Sequence, residues 1–279
     1  MPGISRTRRR GCHDAGEPVL AAGSGLLPSI PLRGVVVSGL IVEQRTEARR
    51  RSDAGRVRLS GRDVAGLVLC GEHYAAQYDL LALALGVQSP RLRRIVARWR
   101  GAGLVQTATL GPGPAWCWLT AAGMSACGLG YPARPPALSR LAHVRAVLAV
   151  RLWLEAGQAC ADGQGWWRSE RNIRAALPAN AGAAHIADAE ISWPSLDGAR
   201  FGGQTWAVEV ELTPKPAVRT SRIMSGLLSR RGYAQVVYLA SPAARPVVAR
   251  AAAGLPSAQR GRVAIRDLPP TAGLPGALR

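Results

Sequence analysis

The chain has 279 residues, 48% of them hydrophobic, enough material for two compact units with separate cores. Its formal net charge of +19 excludes a neutral or acidic surface and favours a polyanionic partner, because basic side chains that neutralise phosphates release condensed counterions. No apolar run is long and clean enough for a membrane span: residues 139–157 carry Arg140, Arg145, Arg151 and Glu155, and residues 18–42 are broken by Pro28, Pro31 and Arg33.

The arginine excess, with Lys215 as the sole lysine and abundant Ala, Gly and Pro, also carries the codon bias of a GC-rich genome. The five cysteines, Cys12, Cys70, Cys117, Cys127 and Cys160, are widely spaced and form no CxxC pair. That pattern supports neither a zinc ribbon nor a redox dithiol, and fits a reduced, cytoplasmic protein with buried thiols.

In chain order, residues 1–58 are rich in Gly, Pro and Arg and are expected to form a disordered basic arm, with Arg49, Arg50, Arg51, Arg56 and Arg58 clustered at its end. Asp63 is expected to open a first helix, carrying Val64, Leu67 and Val68 inward and ending at Gly71. A second helix runs through Tyr78, Leu81 and Leu85 and closes at Gly86. Ser89 is read as the cap of a third, with Pro90 in its first turn. Leu92, Ile95, Val96 and Trp99 recur on one face of this helix, while Arg91, Arg94 and Arg98 lie on the other and Arg93 stands beside them. Strands at 104–109 and 116–119 flank the Gly111-Pro112-Gly113-Pro114 turn, and Thr120 caps a short closing helix. Helix, helix, basic helix and hairpin predict a winged helix-turn-helix over 59–128, with Arg91, Arg93, Arg94 and Arg98 facing double-stranded DNA.

Residues 129–137 read as a proline-rich linker. A small α/β domain is expected over 138–268, followed by a loose tail over 269–279. It begins with a long helix, 138–156, in which His143 is read as a packed or surface residue. A helix over 169–177, strands at 185–193, 205–212, 233–240 and 263–268, and helices at 216–230 and 242–253 complete it.

Two of these strands carry acids. In Ala187-Asp188-Ala189-Glu190-Ile191, Asp188 and Glu190 share a face; in Val208-Glu209-Val210-Glu211-Leu212, Glu209 and Glu211 share one. If the strands are neighbours, Asp188, Glu209 and Glu211 can converge, and convergent carboxylates repel unless a cation lies between them. Hard oxygen donors select Mg²⁺, which can activate water against a phosphodiester. Lys215 could neutralise the phosphate or orient the water, and Glu170, from the preceding helix, could add a ligand. A strand with one wet face also carries Glu at alternate positions, so the spacing alone fits a solvated surface too.

Several segments resemble the actinobacterial replication-relaxation family of plasmids and other mobile elements. They are Leu92-Arg93-Arg94, Ala102-Gly103-Leu104-Val105, Trp118-Leu119-Thr120-Ala121-Ala122-Gly123, Ser169-Glu170-Arg171, His185-Ile186-Ala187-Asp188 and Glu209-Val210-Glu211-Leu212-Thr213-Pro214-Lys215. The resemblance implies an N-terminal winged helix and a part in mobile-element DNA processing. The C-terminal half also resembles the PD-(D/E)xK nuclease superfamily, which implies a restriction-endonuclease-like fold with Asp188 and Glu209 at its first two acidic positions. Glu211 stands where that superfamily has Lys, as it does in some restriction endonucleases. The resulting expectation is a DNA-binding protein acting in replication, relaxation or transfer, with metal-dependent phosphodiester cleavage. The alternatives are a non-catalytic regulator or replication accessory factor that keeps the nuclease-like fold, and an interaction module of a transfer assembly. A homodimer is compatible with the sequence.

Overall fold

A computed structural model describes residues 58–156, 166–178, 185–193, 202–229 and 232–269. The expected basic arm up to Val57, the tail beyond Pro269, Cys12 and Cys160 lie outside the described residues. The fold is mixed α+β, with helices arranged around two sheets.

The first part contains α1 (Gly61–Glu72), β1 (Ala76–Gln77), α2 (Tyr78–Ala84), α3 (Ser89–Gly101), β2 (Val105–Ala108), β3 (Trp116–Leu119) and α4 (Ala121–Ala126). Helix α1 starts two residues earlier than expected because Ser60 is its cap. The Ser60 hydroxyl accepts the Asp63 N–H at 3.2 Å, and the Asp63 carboxylate accepts the Ser60 N–H at 2.8 Å, a reciprocal capping box. Nor does Gly71 end the helix. It lies within the last turn because a Cβ there would come 2.4 Å from Leu129 Cδ1 and 2.9 Å from Leu119 Cδ1. Helix α3 likewise begins at Ser89 itself, with Gln88 as the capping residue whose carbonyl accepts the Leu92 N–H at 3.0 Å. Thr120 caps α4 as the sequence predicts, accepting the Gly123 N–H at 3.1 Å.

Strands β2 and β3 form an antiparallel hairpin, and the short β1 pairs with the other edge of β3. The apolar face of α3 is buried as its periodicity predicts: Leu92, Ile95, Val96 and Trp99 pack with Leu67, Leu81, Val105 and Leu119. Cys70, Cys117 and Cys127 are buried free thiols in this region.

Helix α5 (Leu141–Ala156) follows a short 3₁₀ turn, Leu138–Arg140. One side of it, Leu148, Ala149 and Leu152, joins the core of the first part, while Ala146, Val147 and Val150 pack on the second sheet. Covered on both flanks, it needs a partner for each polar side chain that points into the protein. Arg145 forms a two-pronged bond to Asp79 at 2.9 and 2.6 Å, and Arg151 pairs with buried Glu72 at 2.7 Å.

The second sheet has the order β4-β5-β6-β7-β8, from β4 (Trp166–Ser169), β5 (Ala189–Ser192), β6 (Thr205–Glu211), β7 (Tyr233–Ala240) and β8 (Val263–Asp267). The pairs β4–β5 and β5–β6 are antiparallel; β6–β7 and β7–β8 are parallel. Strand β4 was not anticipated. Ser169 ends it and caps α6 (Glu170–Ala175), accepting the Asn172 N–H at 3.3 Å. Helices α7 (Ala217–Leu228), α8 (Arg245–Ala253) and α9 (Ser257–Arg260) complete this part.

Alternation along β6 sends Val208 and Val210 toward α5 and Ala207 toward the core shared with α7 and α8. Both faces are therefore covered, and Glu209 and Glu211 are buried rather than washed by solvent. Among the described residues, no helix is long and apolar enough to cross a membrane.

Candidate functional site

The sheet register brings the acids together. Ala189 pairs with Val208, so one step further along these antiparallel strands Asp188 stands across from Glu209. On its other side, the Asp188 main-chain carbonyl accepts the Glu170 N–H at 3.0 Å. Tyr238 of β7 is the registered neighbour of Glu209. A row Glu170, Asp188, Glu209, Tyr238 thus crosses four strands or their immediate ends. Strand pairing in β5 begins only at Ala189, shorter than its apolar pattern suggests. At Asp188 the side chain takes over: its Oδ2 accepts the Val210 N–H at 2.8 Å.

Each acid has a partner of its own. His143 Nε2 lies 2.8 Å from Asp188 Oδ1, and His185 Nε2 lies 2.9 Å from Glu209 Oε1. Lys215 Nζ lies 2.6 Å from Glu211 Oε2, so the lysine folds back across Pro214 to the strand. Burial, reinforced by the charge of Asp188, pushes the Glu209 carboxyl up to about 7, against the opposing pull of His185 and Lys215. Burial works to lower the His143 pKa, but its hydrogen bond to Asp188 and that carboxylate's charge outweigh it, and the net shift is upward. The His185 pKa is raised chiefly by its bond to Glu209. These directions describe acids crowded into a confined space, with each histidine bonded to a carboxylate.

Glu170 is placed differently. Its two oxygens are held by Arg140 at 3.1 Å and Arg174 at 2.7 Å, with the Tyr74 hydroxyl at 3.5 Å. It lines a cleft of about 290 Å³ together with Tyr74, Arg140, His143 and Asp188. Tyr74 lies just beyond α1 in a left-handed conformation, φ 68°, which side chains other than Gly seldom adopt. The guanidinium groups of Arg140 and Arg171 lie over its ring, 5.3 and 4.7 Å from the ring centre. Arg171 in turn donates to the carbonyls of Gly71 at 2.7 Å and Pro132 at 2.8 Å, tying α6 to the end of α1.

The structure therefore brings Asp188 and Glu209 together, sets Glu211 and Lys215 beside them as a pair, and turns Glu170 toward two arginines. Among the described residues, no three of His, Cys, Asp or Glu form a ready-made metal cluster. Mg²⁺ does not require one, since it keeps several waters and is commonly bound by one or two carboxylates. Asp188 and Glu209 meet that need in donor type and mutual repulsion, and the neighbouring Tyr238 hydroxyl is buried without a hydrogen-bond partner. What Asp188 and Glu209 supply is the carboxylate oxygens that such a cation takes. Sequence reasoning read His143 as a packed or surface residue rather than a partner of the acids, and gave His185 and Tyr238 no role. His185 could have been noticed because it lies three residues before Asp188 on an extended segment; nothing local marks the other two.

On α3, Arg91, Arg93 and Arg94 are exposed. Arg98 is half exposed, and its guanidinium pairs with the buried Asp63 carboxylate, which also accepts the Trp99 Nε1–H at 2.8 Å. Three of the four arginines are thus unencumbered by an acid among the described residues, and the fourth is shared with the α1 cap.

No family model matches this chain, and no curated protein matches it. Among solved structures, one of PigF with SAH is similar at 14% identity, covering 74% of this chain, with a TM-score of 0.17. The chain spans 56% of that structure's length, and a likeness this loose constrains neither fold nor chemistry.

Proposed function

We propose that this chain is a cytoplasmic DNA-binding protein of a mobile genetic element, pairing a winged helix with a nuclease-like sheet that cleaves phosphodiesters with a divalent metal. The observation that carries this reading is the juxtaposition of partly buried Asp188 and buried Glu209, across from each other on β5 and β6, with Lys215 at hand. The order α5, β4, α6, β5, β6, α7, β7, with three antiparallel strands followed by a parallel one, supports a PD-(D/E)xK-like core. The exposed basic face of α3, ahead of the β2–β3 hairpin, supports a recognition helix. The replication-relaxation resemblance supports the mobile-element context.

Asp188 and Glu209 would hold Mg²⁺, which when bound supplies water activation and neutralises charge developing on a phosphodiester. Lys215 holds a positive charge beside Glu211 and Glu209, where it can meet a phosphate oxygen. His143 and His185 orient the two carboxylates through their Nε2 atoms. Arg91, Arg93 and Arg94 bind the DNA backbone or donate to guanine edges. The test is nicking of supercoiled plasmid in Mg²⁺ or Mn²⁺: the wild type nicks, and Asp188→Asn and Glu209→Gln do not. Nicking that survives Asp188→Asn refutes the site.

One observation favours a second reading, a DNA-binding replication accessory factor without cleavage. His143, His185 and Lys215 already pair with the three strand acids. That reading predicts salt-sensitive DNA binding that is indifferent to Mg²⁺, and no nicking.

A further inference from the structure

Tyr238 lies at the centre of the second part, 1% exposed, with its ring in the core that α7 and α8 form on the sheet. Its hydroxyl is fully buried and has no hydrogen-bond partner among the described residues. A phenol is a strong donor, and burying one unpaired costs about 1–3 kcal/mol, so tyrosines in cores ordinarily find a partner or are replaced by phenylalanine. The other tyrosine on this strand shows the usual outcome: Tyr233 donates to the Glu190 carboxylate. Tyr238 is instead the registered neighbour of Glu209, on the face that carries the acids, and Glu209, Glu211 and Asp188 all act on it electrostatically. The neighbouring acids already have partners: Asp188 has His143 and the Val210 N–H, Glu209 Oε1 has His185, and Glu211 Oε2 has Lys215. The hydroxyl is therefore an unused donor on the same face of the sheet as acceptors that repel one another.

We infer that the Tyr238 hydroxyl is the neutral donor of a ligand site beside Glu209, where it holds an oxygen that is either a water bound to the divalent cation or an oxygen of a phosphate. This inference rests on the metal-site reading above and adds a residue to it that neither strand motif contains. A donor without charge suits the position. It can fix an oxygen between carboxylates without cancelling the negative charge that retains the cation, as a lysine or arginine would.

The test uses the full chain and three proteins: wild type, Tyr238→Phe and Asp188→Asn. Thermal midpoints are measured in EDTA, Mn²⁺ affinity by calorimetry, and then the affinity of the Mn²⁺-loaded protein for inorganic phosphate. The expected result is a metal-free midpoint for Tyr238→Phe no lower than wild type, since only an unpaired oxygen is removed. Alongside it, either Mn²⁺ affinity falls about tenfold, which assigns the oxygen to a metal-bound water, or phosphate affinity alone falls about tenfold, which assigns it to the phosphate. Unchanged Mn²⁺ and phosphate affinities in Tyr238→Phe, with Mn²⁺ binding lost in Asp188→Asn, overturn the role of Tyr238 and leave the metal site standing. Absence of Mn²⁺ binding to the wild type overturns both. A lowered midpoint in EDTA gives the hydroxyl a structural bond within the protein and overturns the inference as well.

Discussion

Arg91, Arg93 and Arg94 of α3 stand in water, whereas Glu209 and Glu211 of β6 stand almost entirely out of it. The arginines need no partner because solvent screens them, and their charge stays available to an incoming polyanion. The glutamates cannot be left that way, and the chain has supplied a histidine or the lysine to each of Asp188, Glu209 and Glu211. The difference teaches that the first surface is open to binding by default. The second is a closed electrostatic arrangement that a ligand must enter and reorganise.

The largest expected effect tests the closed side. Asp188→Asn should lower Mg²⁺-dependent nicking about a thousandfold, the several kcal/mol a positioned metal supplies, with DNA affinity unchanged in a gel-shift titration. If nicking and DNA binding fall together, the two regions are not separable and the contrast fails.

Next comes the seam between the two parts. Glu72→Ala removes the buried one of two acids on Arg151, leaving the more exposed Glu155, and also the partner of the Asn172 side chain at that seam. It should destabilise the protein by about 3 kcal/mol in urea unfolding, the scale of a broken buried pair. A cost below about 1 kcal/mol would show that this pair behaves like a surface one.

The histidines sharpen the comparison through pH. His73 is buried beside Arg151, and burial first, then that charge, holds its pKa well below the ordinary imidazole value. The folded state thus binds fewer protons than the unfolded chain. The stability that His73 contributes is complete above the unfolded pKa of about 6.5 and is lost as the pH falls below it. His143 and His185, shifted upward by their carboxylates, act in the opposite sense: their contribution is present in acid and is lost as the pH rises through their folded values. The stability difference between wild type and His73→Gln should therefore shrink between pH 7 and pH 5. A difference independent of pH would mean that His73 is not held neutral.

The smallest effects belong to the open surface. Arg91→Ala and Arg94→Ala should each weaken DNA binding at all sequences and reduce the slope of log K against log salt by about 1, with stability changed by less than about 0.5 kcal/mol. Arg98→Ala should differ from both, because it also exposes the Asp63 cap to the loss of a partner. A midpoint equal to that of Arg91→Ala would contradict that coupling.

Much of the fold was legible because it follows from local rules. The inward stripe of Leu92, Ile95, Val96 and Trp99, the Thr120 cap and the span of β7 were all readable from spacing and residue type. Two displaced boundaries share a cause: side chains competing with the backbone. Ser60 and Asp63 cap each other, and Asp188 replaces a rung of the strand ladder. At the site, the alternation of Glu209 and Glu211 was visible, and its usual meaning, a solvated face, was reversed by the packing around β6. The partners His143 and Tyr238 come from elements 45 and 50 residues away from Asp188, and no spacing encodes them. Glu170 met the compositional requirement of a ligand, yet Arg140 and Arg174 hold both its oxygens.

Helix α5 belongs to two cores at once. If Leu148 and Leu152 leave the first core, Val147 and Val150 cannot keep their seat on the sheet, so the halves should melt in one transition and resist excision by limited proteolysis. A lineage that exchanged either half for an unrelated one would have to redesign this helix with it, which couples the inheritance of the arginine surface to that of the acidic row.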